Sequence, residues 1–195
     1  MELLSPAGNR EALVAAISCG ADAVYLGYTA FGARSYAGNF DADGLREAVE
    51  YAHERGRKIY VTVNTLVKQC ELDDLRDVLD LLSDVRVDAV LVQDMGVADL
   101  LRTRFPDLPA HASTQMALHN ASGVRFVRER GFTRAVLARE CDLSAIRRAA
   151  DEGIEIEVFY PNDGTSEIQH LQMATQKGGN VQVYAVQGNF DDAQT

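Results

Sequence analysis

The chain has 195 residues, 47% hydrophobic and 25% charged, with a formal net charge of −10. That length suffices for one sizeable domain with its own core, and only 4 prolines with no low-complexity run exclude wholesale disorder. The acidic balance argues against a broad phosphate-binding surface, and no apolar run approaches the roughly 18 residues of a membrane helix. Cys19, Cys70 and Cys141 are odd in number and far apart, so no disulfide framework or metal motif follows from them. The expectation is a cytoplasmic protein with no membrane partner.

The first expected strand is Glu2–Leu4, followed by a Ser5-Pro6-Ala7-Gly8 turn and a helix over Arg10–Ser18 capped by Asn9. Cys19, at the end of that helix, reads as core or helix packing. Strand Ala23–Leu26 ends at Gly27, a long loop follows, and a helix over Asp43–Arg55 carries Leu45, Ala48, Val49 and Ala52 in one stripe. Strand Lys58–Asn64 is almost entirely β-branched or aromatic. Helix Leu72–Leu82 precedes Asp88–Gln93, a continuous apolar run of the kind found in buried parallel strands. Helix Val97–Arg104, strand Ala110–Ser113, helix Ala121–Arg130 and strand Arg134–Ala138 come next. A helix opened by Asp142 or Ser144 and closed by Gly153 leads to strand Glu155–Phe159. Helix Ser166–Gln176 and strand Gln182–Val186 complete the count.

Eight strands and seven helices in strict alternation imply parallel strands with right-handed crossovers. The expected fold is therefore an α/β, (β/α)8 TIM-barrel-like architecture, incomplete at its C-terminus. The alternative is an open parallel sheet, which usually announces itself by a glycine-rich phosphate turn that this chain lacks.

In such a barrel the functional groups gather where strands end. The strand ends here supply Ser5, Gly27, Asn64, Gln93, Asp94, His111, Ser113, Gln115, Arg139 and Glu140, polar residues following apolar strand bodies. From these, Asn64, Gln93, His111, Ser113, Gln115, Arg139 and Glu140 are the substrate-binding candidates; no catalytic set is assigned. Arg139 and Glu140 can hold an anion and serve as acid or base, or form a structural ion pair, with Asp94 as a possible partner. The HASTQMALHN stretch, residues 111–120, offers donors, acceptors and a titratable ring, or caps for the next helix. The His111/His119 spacing fits no usual metal site. His53 and His170 read as surface residues. Arg125, Arg128, Arg130 and Arg134, interrupted by Glu129, read as a solvated helix face. No phosphate-loop, GxGxxG, HExxH or GxSxG motif occurs.

Five segments carry a resemblance: MELLSPAGNREALVAAISCGADAVYLG (1–27), KIYVTVNTL (58–66), DAVLVQDMGV (88–97), FPDLPAHASTQMALHN (105–120) and AVLARE (135–140). They resemble the N-terminal half of the collagenase-like peptidase family U-32, over about residues 1–159. The resemblance implies a barrel-type domain. Members were first labelled proteases, and others act in prephenate-dependent or iron–sulfur-dependent hydroxylation of tRNA or rRNA bases, or of ubiquinone precursors. Family members continue the EIEVF strand into a His-Gly segment and cluster cysteines, whereas here it continues into YPNDG. In the tail, SEIQHLQMATQ (166–176) and GNFDDAQ (188–194) resemble threonine synthase, a pyridoxal-phosphate enzyme, without its cofactor-lysine region; Lys177 does not lie in that motif.

The expected organisation is thus a U-32-like region over 1–159 and a threonine synthase-like β–α–β tail over 160–195, a truncated or chimeric protein. No iron–sulfur cluster, pyridoxal phosphate or metal is expected in this chain. The expected partner is a small-molecule, peptide or RNA substrate, with a homo-oligomer possible through an incompletely covered barrel. A non-catalytic fragment acting only in binding or oligomerisation is the competing reading.

Overall fold

The computed structural model describes residues 2–33, 38–160 and 181–186. Its strands are β1 (Glu2–Ala7), β2 (Ala23–Gly27), β3 (Lys58–Val63), β4 (Ala89–Val92), β5 (Ala110–Ala112), β6 (Arg134–Val136), β7 (Glu155–Tyr160) and β8 (Val181–Val186). Its helices are α1 (Arg10–Ser18), α2 (Ala42–His53), α3 (Leu72–Asp84), α4 (Met95–Arg104), α5 (Ala121–Arg128) and α6 (Leu143–Ala150). The strands follow one another in chain order around a closed parallel barrel. β8 closes it by pairing with β7 on one side and with β1 on the other, through Glu2↔Val183, Leu3↔Tyr184 and Leu4↔Ala185. The open-sheet alternative is set aside by this closure.

Local chemistry explains where the helices start. Asn9, Asp41, Asp94, Asn120 and Asp142 each accept a hydrogen bond from a backbone N–H in the first turn of the helix that follows. Such caps satisfy donors that have no partner within the helix. Of the two expected caps for α6, Asp142 serves. Gly56 and Gly153, at φ +63° and +75°, take the left-handed turn that returns the chain towards the next strand.

Two apolar layers result. Between helices and sheet lie the outward-facing strand residues such as Val24, Val61, Val90 and Ala135, packed against Leu45, Leu75, Leu79, Leu101 and Val124. Inside the barrel, Leu4, Ala23, Tyr25, Tyr60, Ala89 and Leu91 form a second cluster. All four residues of β4 are buried, as expected for a strand covered on both faces.

Three expectations need correction. β1 runs through the expected turn to Ala7, so Ser5 lies within a strand and not at its end. Pro6 is tolerated because pairing of β1 with β8 ends at Leu4, while pairing with β2 continues to Ala7. Cys19 is exposed at the C-cap of α1 and packs into no core. Arg134 is no part of a solvated face: it opens β6, is 2% exposed and points into the barrel. Helix Ser166–Gln176, His170 and Lys177 lie outside the described residues.

Candidate functional site

Barrels of this kind fill their interior in layers, each taking one side chain from alternate strands. Following the strand registers round the barrel places Leu4, Tyr60, His111 and Glu157 in one central layer. The Tyr60 and His111 rings meet edge-on, with centroids 4.9 Å apart. Above this layer, towards the strand C-termini, the same registers place Tyr25, Leu91 and Val136, and then Thr62, Ser113 and Phe159. Below it lie Ala23, Ala89 and Arg134, with Glu2, Lys58 and Glu155 at the barrel floor.

At the upper mouth, four candidates are brought into one hydrogen-bonded chain. Asn64 Nδ2 donates to Ser113 Oγ at 3.2 Å. Ser113 Oγ also accepts from the Gln115 backbone N–H at 3.3 Å. Gln93 Nε2 reaches the Gln115 carbonyl at 3.5 Å. Asn64 Oδ1 accepts from the Ala33 N–H at 3.0 Å, and Thr65 Oγ1 donates to the Phe31 carbonyl, so the loop after β2 is fastened over the same end. Gly27 is needed beneath this loop, because a Cβ there would lie 2.4 Å from Asn39 Oδ1. Ser113 is buried and receives two donors; an oxygen so occupied is an acceptor, and among the described residues no His or carboxylate hydrogen-bonds it as a general base.

The remaining candidates separate. Arg139 is exposed, its guanidinium 4.8 Å from the centre of the Phe159 ring at the edge of the mouth. Glu140 faces His119 on the outer rim at 3.7 Å, both well exposed. Asp94 is engaged in capping α4 and in accepting from the Val67 N–H. His111 does not stand at the mouth. It is 5% exposed, sealed beneath Tyr25, Leu91 and Val136, and its imidazole is held well below its usual pKa range by burial and then by the charges of Arg134 and Lys58.

The floor contains residues that the sequence reading passed over. Arg134 donates to Glu2 Oε1 at 2.9 Å and to Glu155 Oε2 from Nε and Nη2 at 2.9 and 2.7 Å. Tyr60 donates to Glu2 Oε1 at 2.8 Å, and Lys58 to Glu2 Oε2 at 3.1 Å. Burial pushes the Glu2 carboxyl up, but the charge and hydrogen bonds of Arg134, with those of Tyr60 and Lys58, outweigh it and hold the pKa low. Glu157 lies 3.7 Å from Arg134 Nη1, an ion-pair separation too long for a hydrogen bond. Complete burial pushes its carboxyl up to about 7, with Arg134 pulling only partly against it. Two cations, Arg134 and Lys58, thus face Glu2 and Glu155 at hydrogen-bond distance, and the third carboxyl, Glu157, is left to titrate at about 7. The Glu-Ile-Glu alternation of β7 was the signal available in the sequence: polar residues at every second position of a buried strand point to one face.

The cysteines do not fit a metal cluster. Cys19 ends α1, Cys70 lies in the short 3-10 turn Gln69–Glu71 before α3, and Cys141 follows β6. Among the described residues no group of three or more His, Cys, Asp and Glu side chains could hold a metal ion. None of the described helices is long and apolar enough to cross a membrane.

Residues 8–166 match Peptidase family U32. The chain is 42% identical over 159 residues to the tRNA hydroxylation protein P1 of Bacillus subtilis, covering 81% of this chain and 38% of that protein. It is 44% identical over 158 residues to the 23S rRNA 5-hydroxycytidine C2501 synthase of Escherichia coli, covering 80% of this chain and 24% of that protein. It therefore spans well under half the length of these relatives. Among solved structures, the U32 peptidase Mk0906 superposes with a TM-score of 0.69 at 18% identity, over 82% of this chain and 68% of that one. That likeness concerns the fold. Together with the match over residues 8–166, these findings establish that the chain belongs to peptidase family U32.

Proposed function

We propose that this chain is the substrate-facing barrel of a U32 protein acting in RNA-base hydroxylation, and that its upper mouth holds a planar polar ring. The observation that carries the reading is the uncharged hydrogen-bonded chain Asn64–Ser113–Gln115–Gln93. Amide and hydroxyl groups held in fixed register suit the edge of a nucleobase, which offers donors and acceptors in one plane. Arg139, on the Phe159 ring at the rim, supplies a cation for an adjoining anionic group. The two RNA-modifying relatives support this reading over proteolysis, and so does Ser113, whose two incoming donors leave it poorly suited to attack a peptide. Cluster chemistry is not assigned to this chain, whose cysteines stand on separate segments.

The two-part reading of the chain has weaker support. The U32 match runs past the expected junction to residue 166, and the alignment to the tRNA hydroxylation protein P of Helicobacter pylori covers 96% of this chain at 33% identity. β8 also pairs with both β7 and β1, with one register shift against β7 between Ile156 and Glu157. A cytoplasmic location follows from the proposed RNA substrate.

The test is titration of the full chain with a fluorescent single-stranded RNA and with an abasic oligonucleotide of equal length. Binding should require bases and fall about 10-fold in Asn64→Ala, the loss of one to two hydrogen bonds. Its salt dependence should be shallow, since a chain of net charge −10 gathers few phosphates. Equal affinity for the abasic strand, or gelatin cleavage abolished by Ser113→Ala, would overturn the proposal.

A further inference from the structure

The central barrel layer contains two buried polar atoms that have no hydrogen-bond partner among the described residues, His111 Nδ1 and Glu157 Oε2. They belong to the same layer, on β5 and β7, with only β6 between them. Both side chains are almost wholly withdrawn from solvent, at 5% and 1% exposure. Native interiors rarely leave such atoms unpaired, because each gave up a bond to water on burial.

The neighbours cannot supply what is missing. Arg134, which lies below and between them on β6, directs one Nη1 proton to Glu2 and both Nε and Nη2 to Glu155, and its Nη1 stays 3.7 Å from Glu157 Oε2, outside hydrogen-bond reach. The Tyr60 hydroxyl is turned down to Glu2, and its ring presents only an edge contact to His111. Leu4 completes the layer with no polar group, and the layer above contributes Leu91, Val136 and Tyr25, whose hydroxyl makes no hydrogen bond to either atom. Lys58 at the floor is bound to Glu2. β5 and β7 stand two sheet spacings apart, about 10 Å. Two inward side chains across such a span can be joined by one small bridging molecule.

We infer that this layer is a binding site for one ordered water, which accepts from the acid form of Glu157 at Oε2 and donates to His111 Nδ1. Buried waters take such places, with two to four polar partners. The arrangement fixes His111 as the tautomer with its proton on Nε2. With Glu157 in its acid form, the water links donor to acceptor without moving a proton. The site is separate from the mouth, and it stands whether or not the mouth binds RNA.

The experiment is a crystal structure of the full chain at a resolution that places waters, together with nitrogen-15 NMR of His111. A single density peak within about 3 Å of both atoms, and an Nδ1 resonance characteristic of an unprotonated, hydrogen-bonded nitrogen, are expected. Glu157→Gln, which keeps a donor, should hold that resonance. Glu157→Met should shift it towards the value of a free acceptor. A direct Glu157–His111 bond, a dry gap between them, or a protonated Nδ1 would overturn the inference, and each is read on the unsubstituted protein even where a variant fails to fold.

Discussion

At the amino end of the strands, Arg134, Lys58, Glu2 and Glu155 join in a dense charged lattice, whereas at the carboxyl end Asn64, Gln93, Ser113 and Gln115 form a loose uncharged chain. The two ends share one scaffold and one set of registers. They differ in what their polar groups have left to give. At the floor almost every donor is consumed within the protein, which is the mark of a plug. At the mouth the amides keep donors and acceptors unspent, and the surrounding loop holds them still. Conserving charge at one end and withholding it at the other lets a single barrel be closed below and receptive above.

The sharpest way to break this comparison is at the floor. Arg134→Met leaves Glu2 and Glu155 half buried without their main partner and Glu157 without the cation 3.7 Å from it. Removing one member of a buried ionic group costs about 3–5 kcal/mol. Urea unfolding should show that loss, and adding Glu2→Gln should restore part of it. A loss below about 1 kcal/mol would mean that the lattice is solvated and no plug at all.

The next effect depends on pH, and its two halves have opposite sign. Glu157 has its folded pKa raised to about 7, so the stability it contributes is complete below its unfolded value of 4.5 and is lost as pH rises towards 7. His111 has its folded pKa depressed below 6.5, so its contribution is complete above 6.5 and is lost as pH falls. Between pH 4.5 and 6.5 the two slopes oppose each other in the native protein. Each single variant uncovers the other slope. Relative to the native chain, Glu157→Gln should gain stability from pH 5 to pH 8, by at most on the order of 3 kcal/mol. His111→Gln should gain as pH falls from 7 to 5. Urea midpoints at four pH values decide this; parallel curves for native and variant proteins would show that neither group is perturbed.

How much of this was legible in the sequence depends on which end is considered. The strict alternation of strands and helices, the caps at Asn9 and Asp142, and the stop at Gly153 specified the scaffold, because each is a local signal. Asn64, Gln93 and Ser113 could be named because each follows directly on a strand, and Gln115 because it lies in the short turn just beyond Ser113. The floor could not be assembled in the same way. Glu2 and Arg134 are 132 residues apart and meet only through closure of the barrel. His111 shows the same limit at closer range. Two positions before Ser113 on the same inward face, it lies two layers lower, and only strand register distinguishes the two heights.

The smallest expected effect tests the outer boundary of the mouth. Arg139 and Glu140 are adjacent in sequence and could have served as a joined cation and acid. The fold turns them apart: Arg139 lies over the Phe159 ring, and Glu140 looks outward to His119. The 3.7 Å contact joins side chains that are 51% and 76% exposed, so water and salt screen it. Glu140→Gln should therefore change stability by less than about 0.5 kcal/mol and leave RNA affinity unaltered, while Arg139→Ala should weaken that affinity. If the two variants instead reduce binding equally, the mouth extends past Phe159 to the outer rim, and the division between a receptive centre and a merely solvated edge has been drawn in the wrong place.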